Sequence, residues 1–320
     1  MKLQQLLLVA IFALSSVLPV GAADFTNTML SGKPMAAGKP TTSFIAWPTT
    51  NGAPKAIVLS IHGFGLHKSA YEAFAHRLSR YSITTYALDV RGFGGWASGT
   101  DAHLDMNSTI VEIGALLSSI HRANPGVPVF LLGESMGGAL ALQATALYPD
   151  LIDGVISAVP GDDYYNKNKT SLTVAMHMMH PGKSFDIGKT IVSQATTDHR
   201  LQSAWQNDPA ARLEASPMEL IQFEQFMNKS HQMAKKIKNT PVLVLQGDKD
   251  RLAKPESTVR IYNELETRDK ELVMLTNAEH LIFEEGQCDD QTVDLVSTWI
   301  MKHADRAQKA QTTLDALLHS

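Results

Sequence analysis

Residues 131–138 read Leu-Leu-Gly-Glu-Ser-Met-Gly-Gly (LLGESMGG) and close an apolar run that begins at Val127. Beyond them, Ala139 to Ala146 is rich in alanine and leucine, which favour a helix. The octet is therefore expected to be a turn between a buried strand and a helix. Gly133 and Gly137 flank Ser135, and Gly138 follows. Small residues let the backbone turn sharply, so that the serine hydroxyl projects past the strand end. The helix N-terminus behind it favours nearby negative charge. A turn with no chemistry would look the same in isolation, so the rest of the chain decides.

Outward from the octet, strand-like and helix-like segments alternate. Short apolar runs of buried-strand type occupy residues 41–47, 56–61, 84–88, 127–132, 155–159, 242–245 and 272–275. One helical period carries Tyr71, Phe74 and Leu78 on one face, and another spans residues 110–120. This alternation predicts an α/β fold: a mostly parallel central sheet flanked by helices on both faces. The rhythm stops between Gly161 and Asn239, a stretch of methionines, histidines and helical periods without a convincing strand. Within it, Ser216-Pro217-Met218-Glu219 starts a helix with a serine cap, a proline at the first position and a glutamate to close the capping box. Leu220, Phe223, Met227, Ala234 and Ile237 form its apolar stripe. A helical insertion at about residues 161–239, lying over strand ends, reads as a lid. Met176, His177, Met178, Met179 and His180 are either its lipid-facing patch or its core. Ala304 to Ser320 reads as a final amphipathic helix.

A chain of 320 residues suffices for one large α/β domain. With 44% apolar and 19% charged residues it belongs among ordinary globular proteins, and a formal net charge of −4 gives no reason to expect a nucleic-acid partner. The single cysteine, Cys288, excludes an intrachain disulfide and a cysteine metal cluster. No cofactor and no metal are expected. Met1-Lys2, the apolar run to Val20 and the small residues Gly21-Ala22-Ala23 read as a signal peptide over residues 1–23, leaving one domain over 24–320. A secreted or periplasmic protein is expected. The alternative is a membrane anchor through residues 6–23, which is near the lower length limit for a span.

The turn at Ser135 fits the Gly-X-Ser-X-Gly nucleophile elbow, a strand–turn–helix device. An unactivated serine needs a base, and the base an orienting acid. Gln246-Gly247-Asp248-Lys249-Asp250 follows one buried strand, and Thr276-Asn277-Ala278-Glu279-His280 follows the last. His280 is the candidate base and Asp250 the candidate acid, with Asp248 as its rival. The backbone N–H groups of Phe64, after the strand at 56–61, and of Met136 are candidate donors to an oxyanion.

Four stretches together are similar to α/β-hydrolases of the monoacylglycerol lipase and lysophospholipase type. They are His62-Gly63-Phe64-Gly65 with His67 and Tyr71; Asp89-Val90-Arg91-Gly92-Phe93-Gly94; Gly133-Glu134-Ser135-Met136-Gly137-Gly138; and Gln246-Gly247-Asp248-Lys249-Asp250-Arg251 with His280. The resemblance implies the α/β-hydrolase fold with a helical lid inserted after the sixth strand. It also implies a triad of Ser135, Asp250 and His280 and an oxyanion hole at Phe64 and Met136. The expected activity is cleavage of monoacyl lipid-like esters through an acyl-enzyme, with transient membrane-surface contact through the lid. Leu66, where relatives often carry an acid, and Pro160-Gly161-Asp162-Asp163 depart from the pattern. Two other functions stay open: a proline-type serine aminopeptidase of the same fold, for which Asp162-Asp163 and Glu134 are the acidic hints, and a binding protein on an inactive hydrolase scaffold.

Overall fold

Short, mostly apolar runs, fully buried in the central strands, set the architecture. The computed structural model describes residues 43–50, 52–98, 102–166, 173–178 and 180–318, so the expected leader and the anchor alternative lie outside the described residues. In chain order the elements begin with β1 (Phe44–Trp47), β2 (Ala56–Ile61), α1 (Glu72–Leu78), β3 (Ile83–Leu88), α2 (Met106–Ala123), β4 (Val129–Glu134), α3 (Met136–Leu147) and β5 (Gly154–Ala158). The insertion follows with β6 (Phe185–Asp186), α4 (Gly188–Ala195), α5 (His199–Gln206), β7 (Glu214–Ala215) and α6 (Pro217–Ala234). The chain then adds β8 (Val242–Gly247), α7 (Pro255–Glu264), β9 (Lys270–Leu275) and α8 (Asp290–Leu318).

Seven strands form the main sheet in the order β1-β3-β2-β4-β5-β8-β9. All neighbours are parallel except β1 and β3. Alternate residues point to opposite faces, so each central strand feeds two cores. Ile57, Leu59, Leu131, Val155 and Val244 pack with Ile113 and Leu117 of α2 and Leu140 of α3. Val58, Phe130, Leu132, Ile156 and Leu243 pack with Phe74 and Leu78 of α1 and with Val296, Trp299 and Ile300 of α8. Burial on both faces is why these strands read as unbroken apolar runs instead of alternating ones.

Strand order reverses at β2. The chain steps from β2 outward to β3, then returns to lay β4 on the other side of β2. In open α/β sheets this switch point opens a crevice at the carboxyl ends of the strands. The loops leaving β2 and β4, with Phe64 and Ser135, lie there.

The insertion differs from the sequence expectation in two respects. It follows the fifth main-sheet strand among the described residues, not a sixth. It also contains a small antiparallel pair, Phe185 opposite Ala215 and Asp186 opposite Glu214. Two-residue strands are too short to show a period in sequence. The capping box at Ser216 and Glu219 forms as expected, and Phe226, Met227 and Ala234 of α6 are buried. Gln143 of α3 donates to the Phe226 carbonyl at 3.0 Å, fixing α6 against the nucleophile helix. The final helix also differs: it starts at Asp290, not near Ala304. Its buried stripe, Val293, Val296, Trp299, Ile300 and Ala304, runs without a break through residue 304.

Candidate active site

Ser135 sits at φ 55° and ψ −117°, a conformation that L-residues rarely adopt. The surrounding backbone enforces it. A Cβ on Gly137 would lie 1.8 Å from the Ile61 carbonyl oxygen, and one on Gly133 would lie 2.0 Å from that of Gly137. Only glycine fits at either place. The Ser135 N–H donates to the Ala158 carbonyl at 2.9 Å, which pins the turn to the end of β5. The serine itself is 8% exposed.

Asp250 and His280 meet. The His280 Nδ1 lies 2.9 Å from Asp250 Oδ2, and both residues are buried. A carboxylate only accepts, so Nδ1 carries the proton and Nε2 holds the lone pair. That Nε2 is buried and has no hydrogen-bond partner among the described residues. Asp250 is held from three further sides: by the Leu252 N–H at 2.8 Å, the Ala253 N–H at 2.9 Å and Gln246 Nε2 at 3.1 Å. Burial opposes its charge, but the His280 ring and these donors outweigh it and hold the carboxyl below its ordinary range. Asp248 does something else: its Oδ1 accepts the Asn277 N–H at 2.7 Å, and its side chain is exposed.

Two contacts bring the histidine loop to the serine. Gly247 permits the close approach of the loops after β8 and β9, since a Cβ there would lie 2.3 Å from the Glu279 carbonyl. Glu134, directly before the serine, accepts the Ile282 N–H at 2.6 Å. The expected oxyanion donors also adjoin the serine. A Cβ on Gly63 would lie 3.6 Å from Ser135 Cβ, which places the Phe64 loop beside the turn. Neither the Phe64 nor the Met136 N–H donates to another group among the described residues.

Buried His62 anchors that loop. Burial lowers its pKa to about 4, so it is neutral. Its Nε2 accepts the Val90 N–H at 3.0 Å, and the Nδ1–H therefore donates to the Gly63 carbonyl at 2.8 Å. Arg91 is a structural anchor as well, donating to Glu112 at 2.6 Å and covering the Trp96 ring.

Backbone and side-chain groups of the insertion close on both loops, which the sequence did not disclose. Trp205 Nε1 and the Arg212 N–H both donate to the Gly65 carbonyl at 3.2 Å. The His280 N–H donates to the Ala195 carbonyl at 3.2 Å. Glu279 accepts from Thr196 Oγ1 at 2.8 Å and the Thr197 N–H at 2.7 Å. Phe64 packs edge-on against Phe93 and Phe223, at ring separations of 5.0 and 5.4 Å, giving the loop an aromatic wall. Met176 and Met178 are exposed, 64% and 41%, so they are not part of the core; Met179 lies outside the described residues. The acidic hints Asp162 and Asp163 are paired: His231 lies 3.2 Å from Asp162, and Lys254 lies 3.0 Å from Asp163.

Known proteins share this arrangement of chain. The monoacylglycerol lipase of Mycolicibacterium smegmatis is 24% identical over 259 residues, covering 80% of this chain and 91% of that protein. The human monoglyceride lipase is 25% identical over 271 residues, covering 82% of this chain and 88% of its own. Among solved structures, a soluble variant of the Saccharomyces cerevisiae monoglyceride lipase, in complex with a substrate analog, superimposes with a TM-score of 0.72. It is 23% identical and covers 86% of this chain and 94% of that one. The fold is the α/β-hydrolase fold. The model of the Hydrolase_4 family, described as "Serine aminopeptidase, S33", matches residues 52–287, so the chain belongs to that family and is a hydrolase of the monoglyceride lipase type.

Proposed function

We propose that the protein hydrolyses monoacyl, lipid-like carboxylic esters through an acyl-enzyme on Ser135. The observation that carries the reading is the buried Asp250–His280 pair with its unpartnered Nε2, on a loop bonded through the Ile282 N–H to Glu134, the residue before the strained Ser135. Ser135 Oγ attacks the acyl carbon as His280 Nε2 takes its proton. Asp250 holds the tautomer and stabilises the imidazolium. The Phe64 and Met136 N–H groups receive the developing oxyanion. His280 returns the proton to the leaving alcohol, then activates the water that releases the acid.

The substrate class is supported by the names of the relatives and by the surroundings of the oxyanion loop. The Phe64–Phe93–Phe223 wall is apolar, and exposed Met176, Met178 and Met218 belong to the insertion. Methionine is flexible and suits acyl chains of varied shape. The aminopeptidase alternative needs free carboxylates for a substrate ammonium group. Asp162 and Asp163 are already paired with His231 and Lys254, with Arg260 beside them, and Glu134 is buried and bonded to the Ile282 N–H. These pairings favour ester over peptide.

The distinguishing experiment is a plot of catalytic efficiency against acyl length for p-nitrophenyl esters, run beside proline p-nitroanilide. Each buried CH₂ contributes roughly 0.8 kcal/mol, so efficiency should rise steadily from short to medium chains. A maximum at acetate or butyrate would contradict the lipid reading, and preference for the anilide would favour the peptidase.

A further inference from the structure

Two buried carboxyl groups behind the nucleophile have no place in the chemistry above. Glu134 is fully buried and Glu284 is 5% exposed. The two carboxyl groups face each other within reach of a shared proton. Yet Oε2 of each is buried without a donor from any other group. Two carboxylate oxygens have only lone pairs to offer, so their contact is a bond only when one of them carries a proton.

The neighbours offer no substitute for that proton. Tyr71, His280 and Cys288 face the pair, and Arg77 lies beyond Cys288. Tyr71 donates its hydroxyl proton to the Ile61 carbonyl at 2.8 Å. Burial pushes the Cys288 thiol up to about 12, so it is neutral. Arg77 gives its guanidinium to the Cys288 carbonyl and to Asp290. Burial, reinforced by each other's charge, raises Glu134 well above the ordinary carboxyl range, and burial raises Glu284 too. Two bare charges here would be costly.

The pair also joins the two halves of the site. Glu134 adjoins Ser135 in sequence and accepts the Ile282 N–H, two residues beyond His280, at 2.6 Å. Glu284 follows two residues later, where its carbonyl receives the Gln287 and Cys288 N–H groups at 3.0 and 3.1 Å. We propose that Glu134 and Glu284 share one proton, and that this bond docks the His280 loop onto the nucleophile turn. Both are positioning residues for the hydrolysis proposed above, on which this inference rests. Loss of the proton leaves two like charges that push the turn and the loop apart, withdrawing His280 from Ser135.

The test compares wild type, Glu284→Ala and Glu284→Gln for kcat and KM across about pH 6 to pH 10. Small misplacements of a reacting group cost about 100-fold, so Glu284→Ala should lose about that in kcat with KM little changed. Glutamine donates an amide N–H to Glu134 without titrating, so Glu284→Gln should recover most of that loss. Wild-type kcat should fall on the alkaline side as the shared proton leaves, and Glu284→Gln should lack that fall. Stability follows the same sign. Folded-state values above the ordinary 4.5 mean that the pair's contribution is complete below that pH and is lost as pH rises through the folded values. A readout independent of activity is the carboxylic-acid carbonyl band in the infrared difference spectrum of wild type minus Glu284→Gln at about pH 8. No such band would overturn the shared proton. A folded Glu284→Ala protein with wild-type kcat, or an unchanged alkaline limb in Glu284→Gln, would overturn the positioning role. A clear band in a protein inactive on every ester would leave the pair standing and remove the hydrolase reading.

Discussion

Ser135→Ala should lower kcat for ester hydrolysis on the order of 10⁴-fold or more while the protein stays folded. The change deletes one oxygen, and that oxygen is the proposed nucleophile. The fold has little stake in it: the serine side chain makes no capping bond to α3. The turn is held by backbone, through the Ser135 N–H to the Ala158 carbonyl and the tight seats of Gly133 and Gly137. Alanine meets the same strain at φ 55° as serine does. Initial rates and a thermal melt, measured together, check this. An unchanged melt with near-wild-type kcat would remove Ser135 from the chemistry.

The second large effect belongs to the acid. Asp250→Asn should cost about 10⁴-fold in kcat, because an amide facing His280 selects the wrong tautomer. Asp250 Oδ2 accepts from His280 Nδ1 and from Gln246 Nε2, and Oδ1 accepts two backbone N–H groups. Whichever way the asparagine is turned, its NH₂ meets donors. The backbone donors at the Oδ1 place cannot turn away, so the NH₂ takes the Oδ2 place; there Nδ1 must give up its proton, and the lone pair leaves Nε2. Asp248→Asn should cost less than about tenfold, since Asp248 holds the Asn277 N–H and does not touch His280. Steady-state kinetics of the two variants, side by side, decide it. The reverse order would give the acid role to Asp248.

Much of the site was legible in sequence because its parts are local. The elbow is a strand, a glycine-flanked serine and a helix within about twenty residues, and each glycine has a steric reason that a motif can carry. The candidate acid follows β8, whose apolar start at Val242–Leu245 comes from burial on both faces, and the candidate base follows the shorter apolar run Leu272–Leu275 of the edge strand β9. The helix start at Ser216 was legible for the same reason, since a capping box spans four residues.

What stayed hidden depends on residues far apart in the chain. Nothing near Glu134 in sequence announces Glu284, 150 residues away, or the bond to Ile282. Trp205 and Arg212 gave no sign that they clasp Gly65. Asp162 and Asp163 read as acids open to a substrate amine because His231 and Lys254, which pair with them, lie 69 and 91 residues further on. The two short strands at Phe185 and Glu214 carry no period, and the last helix begins fourteen residues before the stretch that read as helical.

The central claim is that Ser135 is a nucleophile activated by His280. It is tested most directly by treating the folded protein with a fluorophosphonate and locating the adduct by peptide mass spectrometry. One covalent phosphonyl group per chain is expected, on the peptide containing Ser135, and none after Ser135→Ala. An unlabelled wild-type protein, or a label that persists in Ser135→Ala, would contradict it.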